Sequence, residues 1–277
     1  MTQQFTRTAK LLVRREEEIK EFENLRIEFD VLKGDDSDAN TSKIAIYNLN
    51  ESSRKFFESQ KLTAQLTAGY KGIVDDPVEG IIFLGDVAET KTAKKGADIL
   101  TILEVGDSEE NIINSFLDKT YKAGTFYKNI ISDLISNLGV IFNSKELEKL
   151  SNKKIFNSLT VSGQTKKNLD KILENENFFF TIQTGELKLI KKNVLDKNKA
   201  ILLTPKTGLL NIPIVKNDGL EILALINSLV RPGTTIKVES ENVNGFFLTE
   251  SCEFKGDTRG KDWFMKIEAA NGEDTNT

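Results

Sequence analysis

Apolar and polar residues alternate strictly along much of this chain. Leu62, Ala64, Leu66 and Ala68 interleave with Lys61, Thr63, Gln65 and Thr67, while Ile27, Phe29 and Val31 share one face and Arg26, Glu28 and Asp30 the other. A period of two places every second side chain on the same side of an extended backbone, so these runs predict half-buried antiparallel strands. Residues 5–33 read as two strands around a charged turn, Lys10 to Arg14 and Leu25 to Val31, and Asp35 to Thr41 reads as a polar loop.

The end of the chain repeats the order of its beginning. The first copy has Lys43 to Leu49, the alternating run Lys61 to Ala68, a stretch from Gly80 through Phe83 to Val87, and Gly96 leading into Ile99 to Val105. The second has Gly219 to Asn227, Gly233 to Glu239, Gly245 to Glu250, and Gly260 leading into Trp263 to Ile267. Both close on a glycine-bounded hairpin, at the strand-and-turn spacing of barrels and sandwiches. Two copies of one β module predict pseudo-symmetry.

Between them the period changes to about 3.6. Ile112, Ile113, Phe116 and Leu117 predict one helix. Phe126, Ile130, Ile131, Leu134, Ile135 and Leu138 predict a stronger one, with Thr125 as its N-cap and Gly139 as its stop. Lys166 to Glu174 predicts a third helix, followed by a hairpin of Phe178 to Ile182 and Leu187 to Ile190 around Thr184-Gly185-Glu186. Glu221 to Leu229 is apolar enough for a short helix or a buried strand, and helix is the reading preferred. The fold class expected is α+β, mainly β: two antiparallel β-barrel modules with an α/β insert between them. The boundaries expected are 1–107, 108–195 and 196–270, with 271–277 a disordered polar tail.

Composition narrows the chemistry. With 39% hydrophobic and 29% charged residues the 277-residue chain reads as soluble and globular, and no apolar run approaches the roughly 20 residues of a membrane helix. No membrane insertion is expected. The first residues lack the charged-then-apolar layout of a signal peptide, which predicts folding in the cytoplasm. The chain has no histidine and one cysteine, Cys252. That excludes histidine-based nucleophile pairs, ordinary zinc sites and an internal disulfide, while carboxylate-only mechanisms remain open. A net charge of -4 argues against a nucleic-acid reader.

No catalytic, cofactor-binding or metal residue is assigned, and no cofactor is expected. Four features have a functional reading beside a structural one. Asp257, Asp262, Glu250 and Glu253 could be carboxylates for glycosidic cleavage, but read better as charges flanking a solvated turn. Trp263 could stack on a sugar, but Met265 and Ile267 follow it on one face and make it a core anchor. Gly69-Tyr70-Lys71-Gly72 lacks the glycine pattern of a phosphate loop and reads as a strand end capped by Tyr70. Cys252 reads as a small packing residue. The charged run Arg14 to Lys20 is equally a solvated turn or a protein contact.

Several short motifs occur in an order that carries a family resemblance. They are Ile46-Tyr47-Asn48-Leu49, Ala68-Gly69-Tyr70-Lys71-Gly72, Ile82-Phe83-Leu84-Gly85, Thr207-Gly208-Leu209-Leu210, Leu225-Ile226-Asn227 with Arg231-Pro232-Gly233, and Phe254 to Trp263. From about Phe5 to Ala270 the chain resembles the baseplate hub proteins of bacteriophage tails and related injection machines. The resemblance implies two barrels like those of the tail tube, and a homotrimer that presents six of them in a ring. It also implies a non-enzymatic role, joining the tail tube or tube-initiator protein to a central spike protein. Other baseplate proteins, with the tape measure protein as a further candidate, would complete the partners. DNA would pass through the channel without specific binding, and the setting would be the tail baseplate of a virion assembled in the bacterial cytoplasm. A tail-associated cell-wall-degrading enzyme and a carbohydrate-binding module are the alternatives. The chain is short for a hub, and the middle segment reads as a structural insert or a wall-binding module.

Overall fold

The computed structural model describes residues 7–34, 42–58, 61–70, 79–106, 115–183 and 186–274. They form two compact units, one holding residues 7–34, 42–106 and 193–274 and the other 115–192. The first unit opens with β1 (Arg7–Arg15), β2 (Glu18–Phe22), β3 (Ile27–Lys33), β4 (Ser42–Tyr47), helix α1 (Glu51–Phe57), β5 (Leu62–Tyr70), β6 (Gly80–Lys95) and β7 (Asp98–Gly106). The second unit contains β8 (Lys119–Tyr121), α2 (Tyr127–Leu138), β9 (Ile141–Phe142), β10 (Leu159–Val161), α3 (Thr165–Asn175), β11 (Phe178–Gln183) and β12 (Glu186–Lys191). The chain then returns to the first unit with β13 (Val194–Leu195), β14 (Ile201–Leu203), β15 (Ile214–Lys216), β16 (Gly219–Ala224), β17 (Thr235–Glu239), β18 (Asn244–Asp257), β19 (Trp263–Asn271) and β20 (Glu273–Asp274). The architecture is α+β and mainly antiparallel β.

In the first unit the hydrogen-bonded path runs β15-β16-β19-β18-β3-β4-β7-β6-β5-β1-β2, with β17 on β18 and β14 on β17. Strict alternation explains why these residues are strands. Leu62, Ala64 and Leu66, and Met265 and Ile267 far along the chain, point into one continuous apolar core. The charged turn expected near the start is a hairpin that adds β2 as a further strand, paired with β1 from Leu11↔Phe22 to Arg15↔Glu18. In the second unit, Ile130, Ile131, Leu134, Ile135 and Leu138 of α2 pack with Leu169, Ile172 and Leu173 of α3 and with the β11–β12 hairpin in a core of its own. Gly139 ends α2 at φ 70°, the left-handed cap that glycine adopts without a Cβ penalty.

Four expectations need correction. Thr125 does not cap α2: its hydroxyl donates to the Lys122 carbonyl at 2.7 Å, and the helix starts after Phe126 with no side-chain cap. Phe116 and Leu117 are not helical. Phe116 bridges Gln164 and the Leu117 N–H donates to the Gly163 carbonyl at 2.9 Å, while Ile112 and Ile113 lie outside the described residues. The Glu221 to Leu229 segment is not a helix. Burial alternates from Leu220 to Ile226, and β16 pairs with β19 from Gly219↔Ala270 to Ala224↔Met265, so the pairing partner decides what the apolar run could not. Finally, Glu273 and Asp274 of the expected tail pair in parallel with Val194 and Leu195. Gly272 permits that approach, since a Cβ there would lie 2.6 Å from the Leu195 side chain. Residues 275–277 lie outside the described residues.

Candidate assembly interface

The two β modules of the first unit follow one pairing scheme. In the early module β3 pairs with β4, β4 with β7, β7 with β6, and β6 with β5, all antiparallel. In the late module β15, β16, β19, β18 and β17 take those places in the same order, also all antiparallel. β6 leaves β5 and crosses to β7 with a register shift between Val87 and Glu89. Its counterpart β18 leaves β17 and crosses to β19 with a shift between Thr249 and Ser251. The shifts bring two modules into register: Glu89 opposite Glu104 matches Ser251 opposite Glu268. A bulge bends its strand and increases its twist, so its recurrence at one place in both copies reflects a shared curvature. The copies diverge at their rims, where β1 joins β5 antiparallel but β14 joins β17 in parallel.

The modules meet where β3 of the first pairs with β18 of the second, from Cys252↔Lys33 to Asp257↔Glu28. Ion pairs and aromatic rings fasten this junction. The Arg26 guanidinium donates to both oxygens of Asp257, at 3.1 Å from Nε and 2.7 Å from Nη2, and to Glu28 at 3.0 Å, and it lies 4.3 Å from the centre of the Tyr47 ring. Lys255 reaches Asp30 at 3.0 Å. Thr258 continues the ladder by donating its N–H to the Ile27 carbonyl at 3.1 Å, and its hydroxyl accepts from the Ile27 N–H at 3.0 Å. Arg7 donates to the Gly260 carbonyl at 2.8 Å and sits over the Trp263 ring.

These contacts place the residues singled out from sequence. Asp257 is buried and held by Arg26, so it is a junction ion pair and not a solvated turn charge. Burial pushes its carboxyl up, but the Arg26 guanidinium and the N–H groups of Arg259 and Gly260 together hold it below the usual carboxylate range. Burial and the neighbouring Asp30 push Glu253 up. Asp262 and Glu250 are exposed. Trp263 is buried, edge-on to Phe29 at 5.4 Å and to Tyr70 at 6.5 Å. Cys252 is buried, its thiol donating to the Val230 carbonyl at 3.7 Å, and burial pushes it up to about 12, far from a reactive thiolate. The charged hairpin places Arg15 and Lys20 against the Phe56 ring, at 4.8 and 4.6 Å. Lys71 and Gly72 lie outside the described residues. The sequence reading missed Arg26 and Tyr47 as junction residues, since nothing local to Arg26 announces a partner so far along the chain.

Arg26→Ala is expected to cost about 2 kcal/mol. Orphaning one member of a fully buried pair costs about 3–5 kcal/mol, and Arg26, with 32% of its side chain exposed, lets water recover part of that. Because the Asp257 carboxyl is depressed in the folded state, its contribution is present above the ordinary carboxylate range and is lost as pH falls through the lowered value. Urea melts of wild type and variant between neutral and acid pH should therefore converge as the carboxyl protonates. A gap that stays constant would remove Arg26 as the cause.

No protein-family model matches the chain, and no curated protein matches it in sequence. Solved structures do match. The 43 kDa tail protein of a Shewanella oneidensis prophage aligns at a TM-score of 0.66 and 10% identity, over 95% of this chain and 98% of that one. A tail protein from Neisseria meningitidis aligns at 0.61 and 10% identity, over 95% of this chain and 96% of that one. An E. coli component of the type VI secretion system, itself described as similar to bacteriophage tail proteins, aligns at 0.57 and 10% identity over 99% of this chain and 76% of that one. This chain has the tail-protein fold. The alignments span nearly the whole chain, so the tail-protein fold embraces both β modules and the residues between them, as the sequence motifs implied.

Proposed function

We propose that this protein is a structural hub in the baseplate of a phage tail or phage-like injection machine. In this reading three copies form a ring of six β modules that joins a sixfold tail tube to a threefold central spike and surrounds part of the DNA channel. The observation that carries it is the repeated pairing scheme, bulge included, of two modules in one chain. Three chains with two near-equivalent modules each give six near-equivalent positions, which lets one closed ring match sixfold and threefold partners. Likeness in fold to tail proteins and to a type VI secretion component supports the same reading. The partners would be the tube or tube-initiator protein, the spike and other baseplate proteins, and no side chain would perform covalent chemistry.

Light scattering and negative-stain images of the purified protein test this. Three chains around a central hole are the expected result, together with no clearing of bacterial cell walls in a turbidity assay. A six-chain ring, or wall clearance abolished by changing one Asp or Glu, would overturn it.

A further inference from the structure

The junction inside one chain specifies what the junction between two chains should be. Within the repeat, β3 corresponds to β15 and β18 to β6, because each pair occupies one place in the shared scheme. Inside the chain the outer edge of β3 is covered by β18 along Cys252 to Asp257. Counting from the bulges, the matching part of β6 is residues 90–95. Those residues pair with β7 on one side, and among the described residues no strand lies on the other, because β5 stops pairing at Val87. β15 likewise pairs with β16 and with no second strand among the described residues. Each chain therefore carries both halves of a second junction, each without its partner.

We propose that the 90–95 stretch of β6 in one copy docks antiparallel on β15 of the next copy, with Lys91, Thr92 and Ala93 opposite Lys216, Val215 and Ile214, repeating between chains the core of the β18–β3 ladder made within each chain. The inference rests on the ring assembly of the preceding subsection and names the surfaces that close it. Register follows from the repeat. Phe254 lies opposite Val31 and Lys255 opposite Asp30, so Thr92 falls opposite Val215 and Ala93 opposite Ile214.

Two independent observations agree with that register. The first is the direction of the backbone groups. A two-residue turn closes β15–β16 at Lys216↔Gly219 and another closes β6–β7 at Lys95↔Asp98. Antiparallel ladders alternate bonded and non-bonded pairs, so the N–H and C=O of Val215 and of Thr92 point away from their own partner strands. The register brings these outward groups face to face. The second is apolar exposure. Leu210, Ile212, Ile214 and Val215 are 44, 53, 60 and 68% exposed within one six-residue stretch. Single exposed apolar residues are ordinary, but four within six residues, two of them on the free edge strand β15 and two in the segment leading into it, mark a surface that is covered in use. Lys91 and Lys216 also fall opposite each other. Each already lies between two carboxylates of its own chain, Glu89 and Glu104 for Lys91, Glu221 and Glu268 for Lys216.

The test combines a cross-link with a backbone change in the full chain. In the proposed register Ala93 and Ile214 form a non-bonded pair with Cα atoms about 4.5 Å apart, inside the range a disulfide spans. Ala93→Cys with Ile214→Cys should give, on mild oxidation, disulfide-linked chains whose ladder stops at three, while either single variant gives none. Cys252 is buried and stays in place. Val215→Pro removes an outward N–H at an edge-strand position that accommodates the proline ring, so it should leave circular dichroism and thermal melting close to wild type while the protein becomes single-chain in light scattering. A protein that scatters as a trimer, does not cross-link and stays trimeric with Val215→Pro would overturn this junction and leave the hub reading standing. A ladder extending past three would keep the junction and sink the trimer. A cross-link confined to single chains, or a wild-type protein that is single-chain and does not cross-link, would overturn the inference.

Discussion

Trp263→Ala is expected to lower the free energy of unfolding by about 3–5 kcal/mol, the range for truncating a large buried aromatic. Trp263 is 3% exposed, and its edge contacts with Phe29 and Tyr70 reach from the late module into the early one. The cavity would therefore open at the β3–β18 junction and not within one module. Because Phe29 and Tyr70 belong to strands fixed by their own ladders, the site has little freedom to collapse, which favours the upper half of the range. Arg7 also loses the ring it lies over, 5.6 Å from the centroid. As Trp263 is the sole tryptophan, unfolding should be followed by far-UV circular dichroism in urea. A midpoint equal to that of wild type would show that the side chain carries no packing load.

How much of this could be read from the sequence depended on how local each signal was. The strands of the repeat were legible because alternation is a property of neighbours: Leu62 to Ala68 and Trp263 to Ile267 bury every second side chain whatever they pair with. The repeat was legible because glycines punctuate both copies in one order. Helix α1 was overlooked although it carries a local signal. Asn50 precedes it, and its side chain accepts from the Ser53 N–H at 2.8 Å, yet seven residues hold only Phe56 and Phe57 as a buried pair, too few to show a period. Glu221 to Leu229 was misread for the opposite reason. Its composition suits a helix, and only the ladder to β19 reveals it as a strand. The candidate interface was least legible. Arg26 and Asp257 are 231 positions apart, and nothing near either residue encodes the other. Free edges are harder still, since an edge is defined by the strand that is missing. Once the pairings are known, however, the repeat turns that missing strand into a specific residue register.

Gly256→Ala is expected to cost about 3 kcal/mol, at the upper end of the usual penalty for overpacking a core. Gly256 lies between Phe29 on one neighbouring strand and Trp263 on the other, and the two rings meet edge to face across it. A Cβ at this position would stand 2.3 to 2.9 Å from three atoms of the Phe29 ring. A long flexible side chain could swing clear, but Phe29 is 3% exposed and its ring is wedged against Trp263. Either the ring leaves its rotamer or the β3–β18 ladder spreads. The backbone conformation does not demand glycine, for Gly256 is not among the positive-φ residues. The penalty should therefore come from the ring alone, and shrinking the ring should relieve it. Phe29→Leu by itself should destabilise the protein, yet in the Gly256→Ala background it should cost less, or restore part of the loss. The cycle of four proteins, measured by urea denaturation, isolates that coupling. Strictly additive losses would mean that the added methyl strains the backbone and that the aromatic pair is not what keeps this position glycine.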